Sequence, residues 1–166
     1  YLGVDFVATA ATGVVQFSLA NYSQGEAAGP ASITVTRTGG SSGAASVQYA
    51  TVAGGTATGG ASCSAGVDYI NTSGTVNWAD GDSNSKTFPI TFCNDSIFEG
   101  NETVNLGLSN ATGATLGAQS TATLTITDDE TQPTISINDV SLSEGNSGTT
   151  NFDFTVSLSN ASTQTV

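Results

Sequence analysis

The chain has 166 residues, enough for one domain of ordinary size and part of another, and 37% of them are hydrophobic, enough for a core. Two Lys and Arg residues stand against 14 Asp and Glu residues, and the resulting formal charge of −12 argues against binding to nucleic acid or anionic lipid. No run reaches the roughly 18 apolar residues of a membrane span, so we expect no membrane insertion.

Apolar residues alternate with polar ones along most of the chain, and this pattern predicts short, half-buried strands. Turns rich in Gly, Asn, Asp and Ser separate the strands. The spacing predicts an all-β fold, namely a seven-stranded antiparallel, immunoglobulin-like Greek-key sandwich. Pro89 predicts an edge strand or a bulge in the fifth strand. In chain order, the strands are expected at residues 14–23, 33–35, 47–49, 76–78, 88–92, 104–108 and 122–126.

Acidic residues follow the odd-numbered strands of this scheme. If successive strands alternate in direction, strands one, three, five and seven end at the same pole of the domain. Glu26 follows strand one, Asp68 lies in the long loop after strand three, and the other acids follow strands five and seven. We therefore expect eight acids at one pole: Glu26, Asp68, Asp95, Glu99, Glu102, Asp128, Asp129 and Glu130.

Crowded carboxylates repel one another unless a cation lies between them, and the stretch NDSIFEGNE at residues 94–102 is the densest example. Calcium takes six to eight oxygen ligands with loose geometry, whereas magnesium prefers few carboxylates and several waters. The absence of His argues against zinc or copper. We expect calcium, and more than one ion because of the amount of charge. The alternative is a set of solvated turn residues.

Cys63 lies in the same long loop as Asp68, and Cys93 ends strand five, so the same reasoning brings both cysteines to the acidic pole. We expect a disulfide between them, which suits an oxidising extracellular or cell-surface setting. The alternative is a pair of unbonded, buried small residues.

Residues 14–130 resemble the Calx-beta domain, which occurs in sodium–calcium exchangers, an integrin subunit and many bacterial surface proteins. The resemblance lies in VVQFSLANYSQGE, ITVTRTGG, GVDYINTSGTVNW, SKTFPITFCNDSIFEGNETVNLGLSNATGATLG and STATLTITDDE. It implies that the eight acids above are calcium ligands, joined by the backbone carbonyl of Ile97. The chain has Asn94-Asp95-Ser96 where calcium-binding members often carry a run of Asp, and Glu130 replaces a further Asp.

The segment after residue 130 restarts the pattern. ISINDVSLSEG parallels FSLANYSQGEA of residues 17–27, which aligns Glu144 with Glu26, and FDFTVSL then alternates as a second strand. Such a repeat indicates an array of similar domains. The predicted organisation is a leader or remnant at residues 1–13, a Calx-beta-like domain at 14–130 and the first two strands of a second repeat at 131–166.

Two strands with an apolar face are not stable alone in water. We therefore expect residues 131–166 to pack on the first domain or to associate with another copy of the chain.

A catalytic role is not expected. Without His or a reactive Cys, acyl-transfer and thiol chemistry are hard to build, and Trp78 lies on a core-forming strand rather than in a sugar cleft. The expected function is a calcium-binding structural or adhesive repeat of a secreted or cell-surface protein. Calcium would order the acidic loops and stiffen the junction to the neighbouring repeat. The alternatives are a calcium-independent spacer and a module that binds a surface protein or glycan.

Overall fold

Residues 10–166, which the computed structural model describes, form thirteen strands and one short 3₁₀ helix at Glu26–Ala28. The strands are β1 (Val14–Phe17), β2 (Asn21–Gly25), β3 (Ala31–Thr38), β4 (Ala45–Val52), β5 (Gly59–Gly60), β6 (Tyr69–Ile70), β7 (Ser73–Trp78), β8 (Lys86–Ile90), β9 (Glu102–Thr112), β10 (Thr115–Leu116), β11 (Thr121–Thr127), β12 (Ile135–Ile137) and β13 (Val156–Leu158). No helix among these residues is long and apolar enough to cross a membrane.

The described residues divide into two units. The first contains the described residues up to Asn94 together with Asn101–Thr127, and the second contains Asp95–Gly100 and Asp128–Val166. Most of the predicted leader lies outside the described residues, and the predicted domain limits stay a prediction.

The first unit is a sandwich of two sheets. The strand order is β10-β1-β3-β8 in the four-stranded sheet and β2-β11-β9-β4-β7 in the five-stranded sheet. Side chains from both sheets form one core, in which Phe17, Ile33 and Leu106 are fully buried. Tyr49 of β4 stacks on Phe88 of β8 across the two layers, with ring centroids 3.8 Å apart.

The predicted alternation of apolar residues is confirmed in six of the seven segments. In these six segments, every apolar residue that the pattern predicts to be buried is buried except Tyr49, which is half-buried against Phe88. Pro89 lies in β8, at the edge of the four-stranded sheet, as its missing N–H predicts.

The prediction of one strand over residues 14–23 is wrong. These residues form two strands, β1 and β2, which belong to different sheets. The apolar positions show why: Val15 and Phe17 point inward, Leu19 is 55% exposed, and Tyr22 packs against the core. The inward side therefore changes from odd to even positions, and the chain crosses from one sheet to the other.

The purely antiparallel arrangement is also wrong. β1 pairs in parallel with β10, and β2 pairs in parallel with β11. Each parallel pair joins the start of the unit to its end, so no short turn in the sequence signals it. Both parallel pairs follow from the crossing of the chain from one sheet to the other between β1 and β2.

Arg37 is the one buried charged side chain among the described residues, with 1% of its surface exposed. Its Nε and Nη2 atoms donate to the carbonyl of Thr12 at 3.0 and 2.8 Å. Its remaining bonds, of 2.9–3.2 Å, go to the carbonyls of Ser42, Gly43 and Asp82. The guanidinium therefore ties three chain segments together at the end of β3.

In the second unit, β12 and β13 form an antiparallel hairpin that pairs Ile135 with Leu158 and Ile137 with Val156. Paired residues share a face of a sheet, so these four apolar side chains lie on one face. All are exposed, from 49% for Leu158 to 64% for Val156. The origin of this hairpin in a second repeat stays a prediction.

We predict that Arg37→Met lowers the free energy of unfolding by about 3 kcal/mol or more, because it leaves buried carbonyl groups without a donor. Chemical denaturation measures this change. Lys86→Met is the matched control: Lys86 bonds to Asp82 at the surface, so its loss should leave stability close to that of the wild type. Equal effects of the two substitutions would contradict the role of Arg37.

Candidate metal centre

Three strand ends meet at one end of the five-stranded sheet of the first unit. In the β2–β11 pair, Gly25 lies opposite Thr127, and in the β9–β11 pair, Glu102 lies opposite Ile126. Glu26 follows Gly25 directly and begins the 3₁₀ helix. The register therefore brings Glu26 and Glu102 to the end at which β11 finishes.

The loop that carries Asp68 is fixed by several bonds. The Asp68 Oδ2 atom accepts the Thr58 N–H at 2.6 Å, and the Asp68 N–H donates to the Thr58 carbonyl at 2.9 Å. The Cys93 N–H donates to the Asp68 carbonyl at 2.9 Å. The predicted disulfide joins Cys63 to Cys93, with their Cα atoms 5.3 Å apart. Asp68 is thus held from both sides.

The same loop is bound to the start of β9. The Thr103 N–H donates to Thr56 Oγ1 at 2.8 Å, and the Ala57 N–H donates to the Thr103 carbonyl at 3.0 Å. A Cβ atom on Gly55 would lie 2.1 Å from the Thr103 carbonyl oxygen, so this close approach requires glycine. These contacts bring a carboxylate oxygen of Asp68 within 4.8 Å of one of Glu102.

In the second unit, the Asp128 carboxylate accepts three backbone N–H groups. Oδ2 accepts those of Glu99, at 2.8 Å, and Gly100, and Oδ1 accepts that of Glu130 at 2.9 Å. Burial by itself would raise the pKa of Asp128. The N–H donors of Gly100 and Glu130, a hydrogen bond with the Glu130 side chain and the N–H donor of Glu99 together hold that pKa below its ordinary value. Asp128 is therefore ionised and organises the residues around it.

Two further features belong to the second unit. Asp95 Oδ1 accepts the Ile97 N–H at 2.7 Å and forms a tight turn. Carboxylate oxygens of Asp129 and Glu130 lie within 4.8 Å of each other. Asp95 and Asp129 are exposed. The six other predicted acids are half-buried: Glu26, Asp68, Glu99, Glu102, Asp128 and Glu130.

Asp68 also acts on its neighbour Tyr69. Burial raises the pKa of the Tyr69 hydroxyl above its ordinary value, and the negative charge of Asp68 raises it further. A hydrogen bond from Thr51 opposes the change only in part. The charge of Asp68 thus disfavours ionisation of the neighbouring Tyr69 hydroxyl.

Both cationic side chains of the chain are engaged away from Asp68 and Glu102. Arg37 binds the carbonyls described above, and Lys86 Nζ lies 2.7 Å from Asp82 Oδ2. The bond from Lys86 lowers the pKa of Asp82, with help from the Asn84 N–H. The chain has no further Lys or Arg and no His. The described contacts of both cationic side chains therefore lie away from these two acids.

Within the first unit, the structure brings Asp68 and Glu102 together and places Glu26 at the same end of the five-stranded sheet as Glu102. Within the second unit, backbone bonds link Asp95 to Ile97, and Asp128 to Glu99 and Glu130. The complete ligand set stays a prediction. The sequence did not reveal the roles of Thr56, Thr58 and Thr103, because their bonds use main-chain groups on at least one side and so leave no pattern of paired side chains.

Comparisons with known proteins place these features in context. The model of the family described as "Calx-beta domain" matches residues 9–130. The apo form of the Calx CBD1 domain is 30% identical, with a TM-score of 0.59, and the match covers 70% of this chain and 96% of that one. The calcium-binding domain CBD12 of CALX1.1 is 32% identical, with a TM-score of 0.60.

The match with CBD12 covers 69% of this chain and 44% of that one, so this chain spans less than half of that structure. The Calx CBD2 domain, at 16% identity and a TM-score of 0.61, has the same fold over 72% of this chain and 89% of its own. A comparison with curated proteins gives no match.

We predict that replacing both Cys63 and Cys93 with Ser lowers the free energy of unfolding by about 3–4 kcal/mol, the loop-closure value for a separation of 30 residues. Denaturant unfolding in excess chelator measures this change without a contribution from metal. Unchanged stability would show that the Asp68 loop is held by its hydrogen bonds alone.

Proposed function

This chain belongs to the Calx-beta domain family, and from that membership we propose that it is a non-catalytic, calcium-binding structural module of a secreted or cell-surface protein. Calcium orders the acidic loops and stiffens the junction between residues 14–130 and the segment that follows. The family includes a structure described as a calcium-binding domain, CBD12 of CALX1.1.

One observation carries the proposal. Half-buried Asp68 and Glu102 hold carboxylate oxygens within 4.8 Å of each other, while both cationic side chains of the chain are engaged elsewhere. Like charges at this distance are unfavourable in a partly desolvated setting. A divalent cation that accepts oxygen ligands removes the repulsion.

The donor set fits calcium. All proposed donors are oxygen atoms, and neither cysteine competes, because both are in the disulfide. The side-chain ligands are Glu26, Asp68, Asp95, Glu99, Glu102, Asp128, Asp129 and Glu130, and Ile97 adds its carbonyl. We propose more than one ion, since one divalent cation balances only two of these charges.

The residues contribute unequally. Asp128 Oδ2 already accepts the N–H groups of Glu99 and Gly100, which use both of its lone pairs. The proposed ligand atom of Asp128 is therefore Oδ1, which also accepts the Glu130 N–H. Calcium, when bound, supplies charge neutralisation and a rigid link between the loops, and it drives no reaction in this module.

The proposed setting follows from the disulfide, because such bonds persist in oxidising compartments. The proposed partners are calcium and neighbouring repeats of the same protein. Adhesion to a surface protein or glycan is compatible with this role, and so is self-association through the exposed face of the β12–β13 hairpin.

A calcium-independent spacer is the second candidate. One observation favours it: Asp68, Asp95 and Asp128 already accept backbone N–H groups, so their loops have internal support without a metal. The two candidates differ in how stability responds to calcium.

We predict that calcium raises the midpoint of thermal unfolding by several degrees, because a ligand at 100 times its Kd stabilises the folded form by about 2.7 kcal/mol. Calorimetry in excess chelator, in millimolar calcium and in millimolar magnesium tests this. The increase should be specific to calcium. Equal midpoints in chelator and calcium would favour the spacer.

We predict that Glu102→Gln affects the midpoint of thermal unfolding differently in calcium and in excess chelator. It should reduce the calcium-dependent increase in the midpoint, because a ligand is lost. In chelator it should leave the midpoint unchanged or raise it, because repulsion with Asp68 is relieved. Glu144→Gln, at an exposed position, is the matched control and should change neither value. Equal destabilisation by Glu102→Gln with and without calcium would rule out the site.

A further inference from the structure

Every backbone N–H from Ile97 to Gly100 has a hydrogen-bond acceptor within the second unit. Ile97 donates to Asp95, as described, and Phe98 donates to the Ala161 carbonyl at 3.1 Å. Glu99 and Gly100 donate to Asp128. A loop bonded at four successive residues has little freedom left in its backbone.

Residues 161–164 bind one side of this loop. Phe98 and Ser162 form a parallel β-bridge, in which the Thr163 N–H donates to the Phe98 carbonyl at 3.2 Å. The Ser162 hydroxyl donates to the same carbonyl at 3.0 Å, and the Gln164 side-chain amide donates to the Glu99 carbonyl at 2.5 Å. Two of these contacts come from side chains and can be removed by substitution.

Asp128 binds the opposite side. The carbonyl and the N–H of a trans peptide unit point in opposite directions. In the Phe98–Glu99 and Glu99–Gly100 peptide units, the carbonyls bond to residues 161–164 and the N–H groups bond to Asp128. Both peptide units are therefore held between two partners.

The preceding peptide unit has the reverse orientation. Its N–H, from Phe98, donates to Ala161, so its carbonyl, from Ile97, points away from residues 161–164. This is also the direction of the N–H groups that bind Asp128. The Ile97 carbonyl is the one backbone ligand in the proposed calcium set.

We propose that residues 161–164 are a positioning element for the calcium loop: they fix the Ile97–Phe98 peptide so that the Ile97 carbonyl is presented to the ion. This inference rests on the proposed function and extends it to residues outside the ligand set. The segment lies beyond the family match, which ends at residue 130. Calcium affinity thus depends on the chain that follows the matched domain.

The physical basis is preorganisation. A loop already held in its binding conformation loses less conformational entropy when the ion binds, so its affinity is higher. Release of residues 161–164 leaves the carboxylates in place but adds that cost to binding. The ligands and the positioning element therefore predict different results on substitution.

We predict that the double substitution Ser162→Ala with Gln164→Ala weakens calcium binding about tenfold, the scale expected for losing two modest hydrogen bonds. Isothermal titration calorimetry with calcium chloride measures the Kd. Hydrogen exchange in excess chelator should show faster exchange of the Phe98 and Thr163 amides. The intact 166-residue chain is used throughout.

The matched control is Gln132→Ala with Ser157→Ala, which removes the same two side-chain types at exposed positions of the second unit. It should change neither the Kd nor amide exchange. A second variant, Thr163→Pro, removes the N–H that bonds to the Phe98 carbonyl and should weaken calcium binding in the same direction.

The outcomes separate the two proposals. Wild-type protein that binds no calcium would refute the proposed function together with this inference. Wild-type protein that binds calcium, with both Ser162→Ala/Gln164→Ala and Thr163→Pro binding at full affinity, would refute the positioning role alone. Weaker binding in these variants and not in the control supports it.

Discussion

Electrostatic repulsion between the partly buried carboxylates of Asp68 and Glu102 is the constraint on which this end of the first unit depends. Water screens exposed charges well, but six of the acids are half-buried, where screening is weaker. The chain could relieve the repulsion with basic side chains, yet it has only two and uses both elsewhere. Backbone N–H groups also stabilise the carboxylates. The Thr58 N–H donates to Asp68, and the N–H groups of Glu99 and Gly100 donate to Asp128. These N–H dipoles reduce the repulsion between the carboxylates, and the proposed calcium would reduce it further.

The distribution of charge also explains how the first unit is built. Arg37 is buried among carbonyl oxygens, where a neutral side chain would leave several acceptors unsatisfied. Glu26 and Glu102 lie where β2 and β9 meet the end of β11. Arg37 thus joins three chain segments at the end of β3, whereas Glu26 and Glu102 lie at the end of β11.

Much of this fold could be predicted from the sequence, because burial of one face of a strand imposes an alternation of apolar and polar residues. Val104, Leu106 and Leu108 are an example: all three are buried in β9 as the pattern indicates. The division of residues 14–23 was harder, since its only signal is the change of inward side between Phe17 and Tyr22. Acid positions at strand ends indicated Asp68 and Glu102 as neighbours. The contacts of residues 161–164 could not be predicted, because they join segments more than sixty residues apart and every acceptor in them is a main-chain carbonyl.

The parallel pairing of β2 with β11 has a mechanical consequence. β2 lies near the beginning of the first unit and β11 at its end, and five residue pairs connect them, from Asn21–Thr123 to Gly25–Thr127. Tension applied between the start of β2 and the end of β11 pulls these two parallel strands along each other in opposite directions. The hydrogen bonds between β2 and β11 are then loaded together in shear. In an antiparallel terminal hairpin under the same tension, the hydrogen bonds would break one after another. The crossing of the chain between β1 and β2 therefore gives the module a geometry suited to bearing load.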